Sequence, residues 1–322
     1  MNVFVTGGAG YIGSQTCKEL SKNGYIPIVY DNFSTGHREF VKWGKCIHGD
    51  IKDTQYLRYC LKKYNPLGII HFAAFAYVGE SVINPSKYFH NNIEGTLSIL
   101  DAMKDEGIKN IVVSSTCAVY GQPEEVPISE ACPAAPINPY GASKLFMERM
   151  LADYQVAYGL NWVALRYFNA AGCDPDGEIG EWHDPETHLI PRVIGAALGQ
   201  YSKLEVFGND YPTPDGTCIR DYIHVTDLAF AHILALQSCL DGKANRAINL
   251  GMGTGLSILD IIKHTEKISK KVVPFCFKPR RIGDPAQLVA NPAYAQKQLG
   301  WKPQYSDPET IVGTALRWSR ER

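Results

Sequence analysis

The sequence predicts an α/β protein built on a doubly wound parallel sheet, followed by a smaller α/β lobe. Three observations predict it. Short apolar runs at 2–6, 26–30, 45–48, 68–72, 110–114 and 161–167 alternate with longer helical stretches, the rhythm of β-α-β units. Most of these runs are almost continuously apolar rather than alternating, as strands covered on both faces are. The first run enters a glycine turn, Gly7-Gly8-Ala9-Gly10-Tyr11-Ile12-Gly13, and the second is followed by an acid, Asp31. These features describe a Rossmann-type sheet, whose ligands sit beyond the carboxyl ends of the strands.

Composition narrows the function classes. The 322 residues suffice for a sizeable core and two lobes. With 45% hydrophobic and 20% charged residues the chain reads as an ordinary soluble globular protein. A formal net charge of -1 provides no basic field for nucleic acid or an anionic membrane. The nine cysteines are scattered, and none forms Cys-x-x-Cys, so free thiols in a reducing, cytoplasmic setting are expected. The N-terminus goes straight into a strand and does not read as a signal peptide. No stretch is long and apolar enough for a bilayer, and no internal repeat is visible.

Taken in order, the strand ends carry the chemistry. Gly7, Gly10 and Gly13 allow a tight turn and a close backbone approach to a pyrophosphate, with the next helix offering its N–H groups. A glycine triplet alone could be a plain turn. Asp31, 18 residues after Gly13, supplies the context, near the ~20 of a ribose-diol binder. A carboxylate there repels a 2′-phosphate, so NAD is favoured over NADP, with Arg38 as a nearby opposing charge. Asp50-Ile51 ends the third strand and suits either the adenine amine or a helix N-cap. Phe72-Ala73-Ala74 ends the fourth, small enough to pass close to a nicotinamide. Asn91-Asn92 either hydrogen-bonds backbone near the cofactor or is solvated. The fifth strand ends Val113-Ser114-Ser115-Thr116, where Thr116 is either a hydrogen-bond partner of the reacting hydroxyl or part of a Ser/Thr-rich turn.

Asn138-Pro139-Tyr140-Gly141-Ala142-Ser143-Lys144 opens a helix. Tyr140 and Lys144 are four residues apart and share a face. A phenol with a pKa of about 10 is a poor base near neutrality, and a neighbouring positive charge favours its phenolate. Tyr140 so tuned can take a proton from a sugar hydroxyl. Alone, the pair would be an ordinary helix start with Pro in its first turn; the nucleotide features before it favour the base.

These residues resemble the extended short-chain dehydrogenase/reductase family and, within it, the branch that epimerises nucleotide sugars. The resemblance runs through nearly the whole chain. It rests on Gly-Gly-Ala-Gly-Tyr-Ile-Gly-Ser (7–14), Val78-Gly79-Glu80-Ser81, Ser-Ser-Thr-Cys-Ala-Val-Tyr-Gly (114–121) and Pro-Tyr-Gly-Ala-Ser-Lys (139–144). Arg166-Tyr167-Phe168-Asn169, Phe207-Gly208-Asn209-Asp210-Tyr211-Pro212-Thr213, Asp215-Gly216-Thr217, Arg220-Asp221-Tyr222-Ile223-His224-Val225 and Arg280-Arg281-Ile282-Gly283-Asp284 extend it.

The resemblance implies an isomerase that holds NAD and inverts C4 of a UDP-hexose, interconverting UDP-galactose and UDP-glucose through a 4-keto intermediate. Tyr140 would be the base, Thr116 its hydroxyl partner, and Lys144 the tuner that also binds the nicotinamide ribose. Tyr11 and Ile12 would lie on the pyrophosphate. Asp31, Asn32, Ser34, Thr35 and Gly36 would surround the adenosine. Asp50, Ile51, Phe72, Ala73, Ala74, Asn91 and Phe168 would complete the NAD site. Asn169, His188 and Leu189 would touch the UDP-sugar, and Glu205, Val206 and Phe207 the uracil. Arg220 and Arg281 would pair with the pyrophosphate, and Asp284 with the uridine ribose.

The sequence departs from the family pattern at Ala76, where many members carry a lysine that contacts the cofactor. The Ala-Ala-Phe-Ala-Tyr-Val form (73–78) also resembles UDP-pentose and polysaccharide-pathway hexose epimerases, so UDP-xylose/UDP-arabinose and UDP-N-acetylhexosamines stay open as substrates. Leu288, four residues after Asp284, sits near a position that helps decide whether an N-acetyl group fits, and as leucine it is not diagnostic. Dehydrating relatives usually carry Asp-Glu after the threonine, and decarboxylating relatives tend to carry Glu there; Cys117-Ala118 stands here. A non-catalytic NAD sensor is the alternative of another class.

After Asn169 the rhythm fades. Residues 172–188, rich in Gly, Pro and acids, read as a long loop over the site. Its His183-Asp184-x-Glu186-x-His188 suggests a metal, but one loop, no cysteine pair and a family needing none make the expectation no metal. An NAD-binding domain of 1–169, with about 222–250 returning to it as helix 226–240 and a seventh strand, and a UDP-sugar lobe of 170–322 are expected. The C-terminal stretch from Asp307 reads as a surface helix. Helices 84–105 and 140–158 resemble those that pair in family homodimers.

Overall fold

The computed structural model describes residues 1–243, 245–281 and 283–322; Ala244, in the expected 222–250 return, and Ile282, in the quoted arginine motif, lie outside them. The sheet is built as the apolar runs require. In β1 (Asn2–Thr6), Val3 and Val5 join the core on one face and Phe4 the core on the other, all fully buried. This is the two-residue period of a strand with both faces covered. β2 (Ile26–Asp31), β3 (Lys45–His48), β4 (Ile69–His71), β5 (Asn110–Thr116) and β6 (Asn161–Tyr167) follow. With strand Arg246–Leu250 they form one parallel sheet, ordered Arg246–Leu250, β6, β5, β4, β1, β2, β3. The order reverses between β1 and β4, where such sheets open a ligand crevice.

Helix α1 (Tyr11–Lys22) and helix Val225–Leu240 cover one face, through Leu20, Leu228 and Leu236. Helices Thr54–Tyr64, Gly95–Glu106 and Pro139–Tyr158 cover the other, through Leu57, Ile99 and Leu151. Their caps follow from sequence. Asp53 caps the first by accepting the Tyr56 N–H at 2.9 Å. Asn138 caps the last by accepting the Gly141 N–H at 2.8 Å, with Pro139 in the first turn.

A second lobe packs helices Leu189–Leu198, Ile258–Ser269 and Pro308–Glu321 around Ile190, Ile194, Ile262 and Leu316. The C-terminal helix is therefore more than the surface helix expected from its sequence. Its Ile311, Val312, Ala315 and Leu316 are buried, and its Trp318 donates its indole N–H to Glu181 O at 3.1 Å. It holds down residues 172–188 from one side. Lys18 of α1 holds them from the other, bonded to Asp174, Asp176 and Glu178 at 2.7, 2.8 and 2.6 Å.

Three histidines are enclosed as neutral rings. His71 lies between Thr6 (2.7 Å) and Thr96 (3.1 Å), His224 meets Thr314 (3.1 Å), and His232 meets Leu228 O (2.8 Å). Burial pushes His71 down to about 3 and the other two down to about 4. Unfolded, each takes a proton near ~6.5, so below that pH the unfolded chain binds more protons and stability is lost as pH falls. Asp221 opposes this, because burial pushes its carboxyl up to about 6. Across these four groups the excess is about two protons on the unfolded side, equivalent to roughly 2–3 kcal/mol lost from pH 6 to pH 5, while Asp31, Asp227 and His188, whose pKa values are raised, act in Asp221's direction. Urea unfolding at the two pH values measures it, and equal stabilities would mean that the folded state protonates these rings freely.

Candidate active site

Parallel strands end on the same edge, so the informative residues converge although they are far apart in sequence. Thr6 leads into the Gly7 turn, β2 ends on Asp31, and β5 ends on Thr116. Gly7 has φ +72, and a Cβ there would lie 2.6 Å from Ala73 N; one on Gly13 would lie 2.2 Å from Gly7 O. Only glycine lets the turn nest against residues 72–73 and against α1. No side chain caps the first turn of α1, so its N–H groups are left for an anion.

The Asp31 carboxylate is anchored by Ala9 N (2.9 Å) and Phe33 N (2.8 Å). Burial raises its pKa against these two bonds. Asn32 donates to Asp50 Oδ2 at 3.1 Å, which joins the ends of β2 and β3. The alternative of Asp50 as a helix cap is corrected, since Asp53 takes that role. Ser34 and Thr35 are exposed on the same rim, and Gly36 packs on Ala9. Arg38 stacks on the Phe33 ring, 4.1 Å from its centre. Ile51 is different: its side chain is buried under Gly95, leaving only its backbone for a ligand.

Tyr140 and Lys144 lie on the buried face of their helix, beside the end of β5. Lys144 donates to Ser114 O at 2.8 Å. Thr116 Oγ1 accepts the Ala118 N–H at 3.1 Å, and its hydroxyl lies near enough to the Tyr140 phenol to lower that group's pKa. Burial outweighs this and pushes Tyr140 up to about 12. It also pushes Lys144 down to about 7, against the pull of Glu148. The expected tuning by Lys144 is therefore not the dominant effect; a dry site favours the neutral form of both groups.

Asn92 is fully buried and is not solvated. It exchanges hydrogen bonds with Phe75 N (3.0 Å) and Phe75 O (3.1 Å) and donates to Ser143 Oγ (3.0 Å). It thus ties the segment after β4 to the Tyr140 helix, and Asn91 donates to it at 3.0 Å. Phe72 packs against His232, with ring centres 4.6 Å apart, and Phe168 is buried beside Cys117.

The second lobe contributes further residues. Arg220 pairs with Asp284 at 2.9 Å. Arg281 stacks on Phe207, 4.0 Å from its centre. Glu205 is partly exposed opposite Lys278 at 3.4 Å, whereas the Val206 side chain is buried in the lobe's core and offers only backbone. Leu189 also packs on that core. Asn169 joins the lobes through its N–H to Asp221 O at 3.0 Å. His188 bonds Glu181 and lies near Tyr77, with ring centres 6.2 Å apart.

Sequence reading missed Ser143, Glu148 and Arg166 as supports of the site. Glu148 accepts from Ser115 at 2.5 Å and from Arg166 at 2.9 and 2.5 Å, all buried. The signal was present: an arginine within an apolar strand, and an acid four residues beyond Lys144 on the same helical face.

Residues 3–251 match the NAD dependent epimerase/dehydratase family. The UDP-glucose 4-epimerase of Rhizobium meliloti (strain 1021) is 51% identical over 321 residues, spanning 100% of this chain and 98% of that one. The crystal structure of the UDP-glucose 4-epimerase from Brucella ovis in complex with NAD is 55% identical with a TM-score of 0.96, covering 98% and 97%. That of the enzyme from Bifidobacterium longum, in complex with NAD+ and UDP, is 39% identical with a TM-score of 0.94, covering 100% and 98%.

Proposed function

The chain belongs to the NAD dependent epimerase/dehydratase family, and from that premise we propose that it inverts C4 of a UDP-hexose, interconverting UDP-galactose and UDP-glucose by hydride removal and return through a 4-keto intermediate. The observation that carries this is half-buried Tyr140 beside buried Thr116 and Lys144, at the strand ends that also bear the Gly7 turn and Asp31. The donor set fits NAD: a pyrophosphate at the uncapped start of α1, the adenosine along 31–36 and Asp50, and the nicotinamide ribose at Lys144. The remaining cofactor contacts come from Tyr11, Ile12, residues 72–74, Asn91 and Phe168. Bound NAD supplies the hydride acceptor and, oxidised, a positive charge that favours the phenolate.

The chain's own groups do the rest. Thr116 donates to the Tyr140 oxygen, which lets that oxygen take the 4-hydroxyl proton and later return it. Arg220 and Arg281 hold the pyrophosphate, Asp284 the uridine ribose, and Phe207 with its neighbours the uracil. Asn169, His188 and Leu189 line the path of the sugar. Anchoring at this distance lets the keto sugar turn over while it stays bound. Cys117 and Ala118, after Thr116, offer no acid and base for a dehydration.

The NAD-binding lobe comprises 1–169 with about 222–250, and the sugar-nucleotide lobe the remainder of 170–322. The chain works as a cytoplasmic homodimer. Exposed Ile83, Phe89, Phe146 and Val156 support the pairing surface, and no helix among the described residues is long and apolar enough to cross a membrane.

The test is turnover of UDP-galactose, UDP-N-acetylgalactosamine and UDP-xylose by purified protein without added NAD. Conversion of UDP-galactose to UDP-glucose is expected. Turnover of UDP-xylose alone would favour the pentose reading that the Ala76 segment supports. No reaction even with NAD supplied would sink the epimerase reading.

A further inference from the structure

The sequence reading saw His183, Glu186 and His188 as a candidate metal motif and expected no metal, yet the fold adds Glu181 to them. Residues 172–188 turn back so that Glu181, His183, Glu186 and His188 each present one ligand atom, all within 4.8 Å of one another. His183 Nδ1 is buried and has no hydrogen-bond partner. It faces two carboxylate oxygens at 3.5 Å (Glu181) and 3.4 Å (Glu186). These two distances are long for hydrogen bonds and fit the edges of a coordination tetrahedron, whereas His188 Nδ1 is hydrogen-bonded to Glu181 and would exchange that shared proton for the ion. Zinc bonds of about 2.0–2.2 Å to nitrogen and carboxylate oxygen place neighbouring donors roughly 3.3–3.5 Å apart.

The surroundings suit an ion. The Glu181 side chain is 3% exposed and is paired with histidines rather than with lysine or arginine. Glu186 is oriented by the His188 N–H at 2.8 Å, the kind of outer support that bound metals use. Tyr11 and Tyr77 pack their rings against His183, 6.3 and 6.0 Å between centres, and wall the cluster. The His188 side chain is 48% exposed and leaves an entry path.

The geometry points to a divalent metal site, zinc by preference, closed by Glu181, His183, Glu186 and His188 where residues 172–188 cross between the lobes. Its ion would brace that segment against α1 and fix His188 at the start of helix Leu189–Leu198.

The test does not depend on turnover. Full-length protein is stripped with a chelator, desalted and titrated with Zn2+ against a chromophoric competitor, then separately with Co2+. One Zn2+ per chain is expected, with visible Co2+ bands and no thiolate charge-transfer band in the near ultraviolet. His183→Ala and Glu186→Gln, checked for folding by circular dichroism, should each weaken binding by about 100-fold or more. If His183→Ala does not fold, Glu186→Gln decides. Absence of stoichiometric binding would overturn the site, as would a folded variant that keeps wild-type affinity. A thiolate band would also overturn it, because Cys173 lies nearby, with the Glu181 N–H 3.4 Å from its sulfur.

Discussion

Tyr140→Phe is expected to keep the fold and the bound NAD and to lower turnover of UDP-galactose by on the order of 10³-fold, the range of a lost acid–base group. The fold survives because the ring stays packed and only one hydroxyl is lost from the Thr116 pair. NAD stays because Lys144, held by Ser114 O, and the glycine turn are untouched. Thr116→Ala supplies the finer readout. The Thr116 hydroxyl lowers the Tyr140 pKa from a value that burial has pushed up to about 12. Removing it favours the protonated phenol, so the rising limb of the rate–pH profile shifts to higher pH and turnover at pH 7 falls by roughly tenfold, the size of one charged hydrogen bond. Single-turnover rates across pH measure both. Near-normal turnover by Tyr140→Phe would remove the phenol from its role.

The second large effect lies behind the site. Arg166 donates twice to Glu148, at 2.9 and 2.5 Å, and once to the Tyr120 hydroxyl, at 2.8 Å; Tyr120 donates in turn to Asn249 at 2.7 Å. The pair is buried, and Glu148 holds the arginine's pKa up. Arg166→Met strands the Glu148 carboxylate in the core and is expected to cost about 3–5 kcal/mol of unfolding free energy. Replacing both partners with apolar residues, as Arg166→Met with Glu148→Leu, should recover much of that loss, because no charge is then left uncompensated. Urea denaturation of the single and double variants checks this. A single variant that costs under about 1 kcal/mol would mean that water reaches Glu148.

Part of this molecule is local and was therefore readable in one dimension. Near-continuous apolar runs set the strands of a sheet covered on both faces, and parallel strands sent their carboxyl ends to one edge. Gly7 and Gly13 were readable because a tight turn against a neighbouring backbone excludes any side chain. Asn138, Pro139, Tyr140 and Lys144 were readable because helix caps and i,i+4 faces are properties of a single helix.

The tertiary structure decided what depends on distant partners or on burial. The Tyr140 phenol and Lys144 ammonium are shifted mainly by lost water, which spacing does not report. Asp50 was separated from a capping role by Asp53, and Val206 and Ile51 were turned inward by the packing around them. The C-terminal helix became part of a core because helices Leu189–Leu198 and Ile258–Ser269 present it with an apolar surface. Residues 172–188 carry no periodicity, so their path is dictated by Lys18, Trp318 and the second lobe. The sequence by itself determined the fold class, the glycine turn and the helix that carries Tyr140 and Lys144. Only the assembled chain, through desolvation and long-range contact, shifts Tyr140 up and Lys144 down and brings together Glu181, His183, Glu186 and His188.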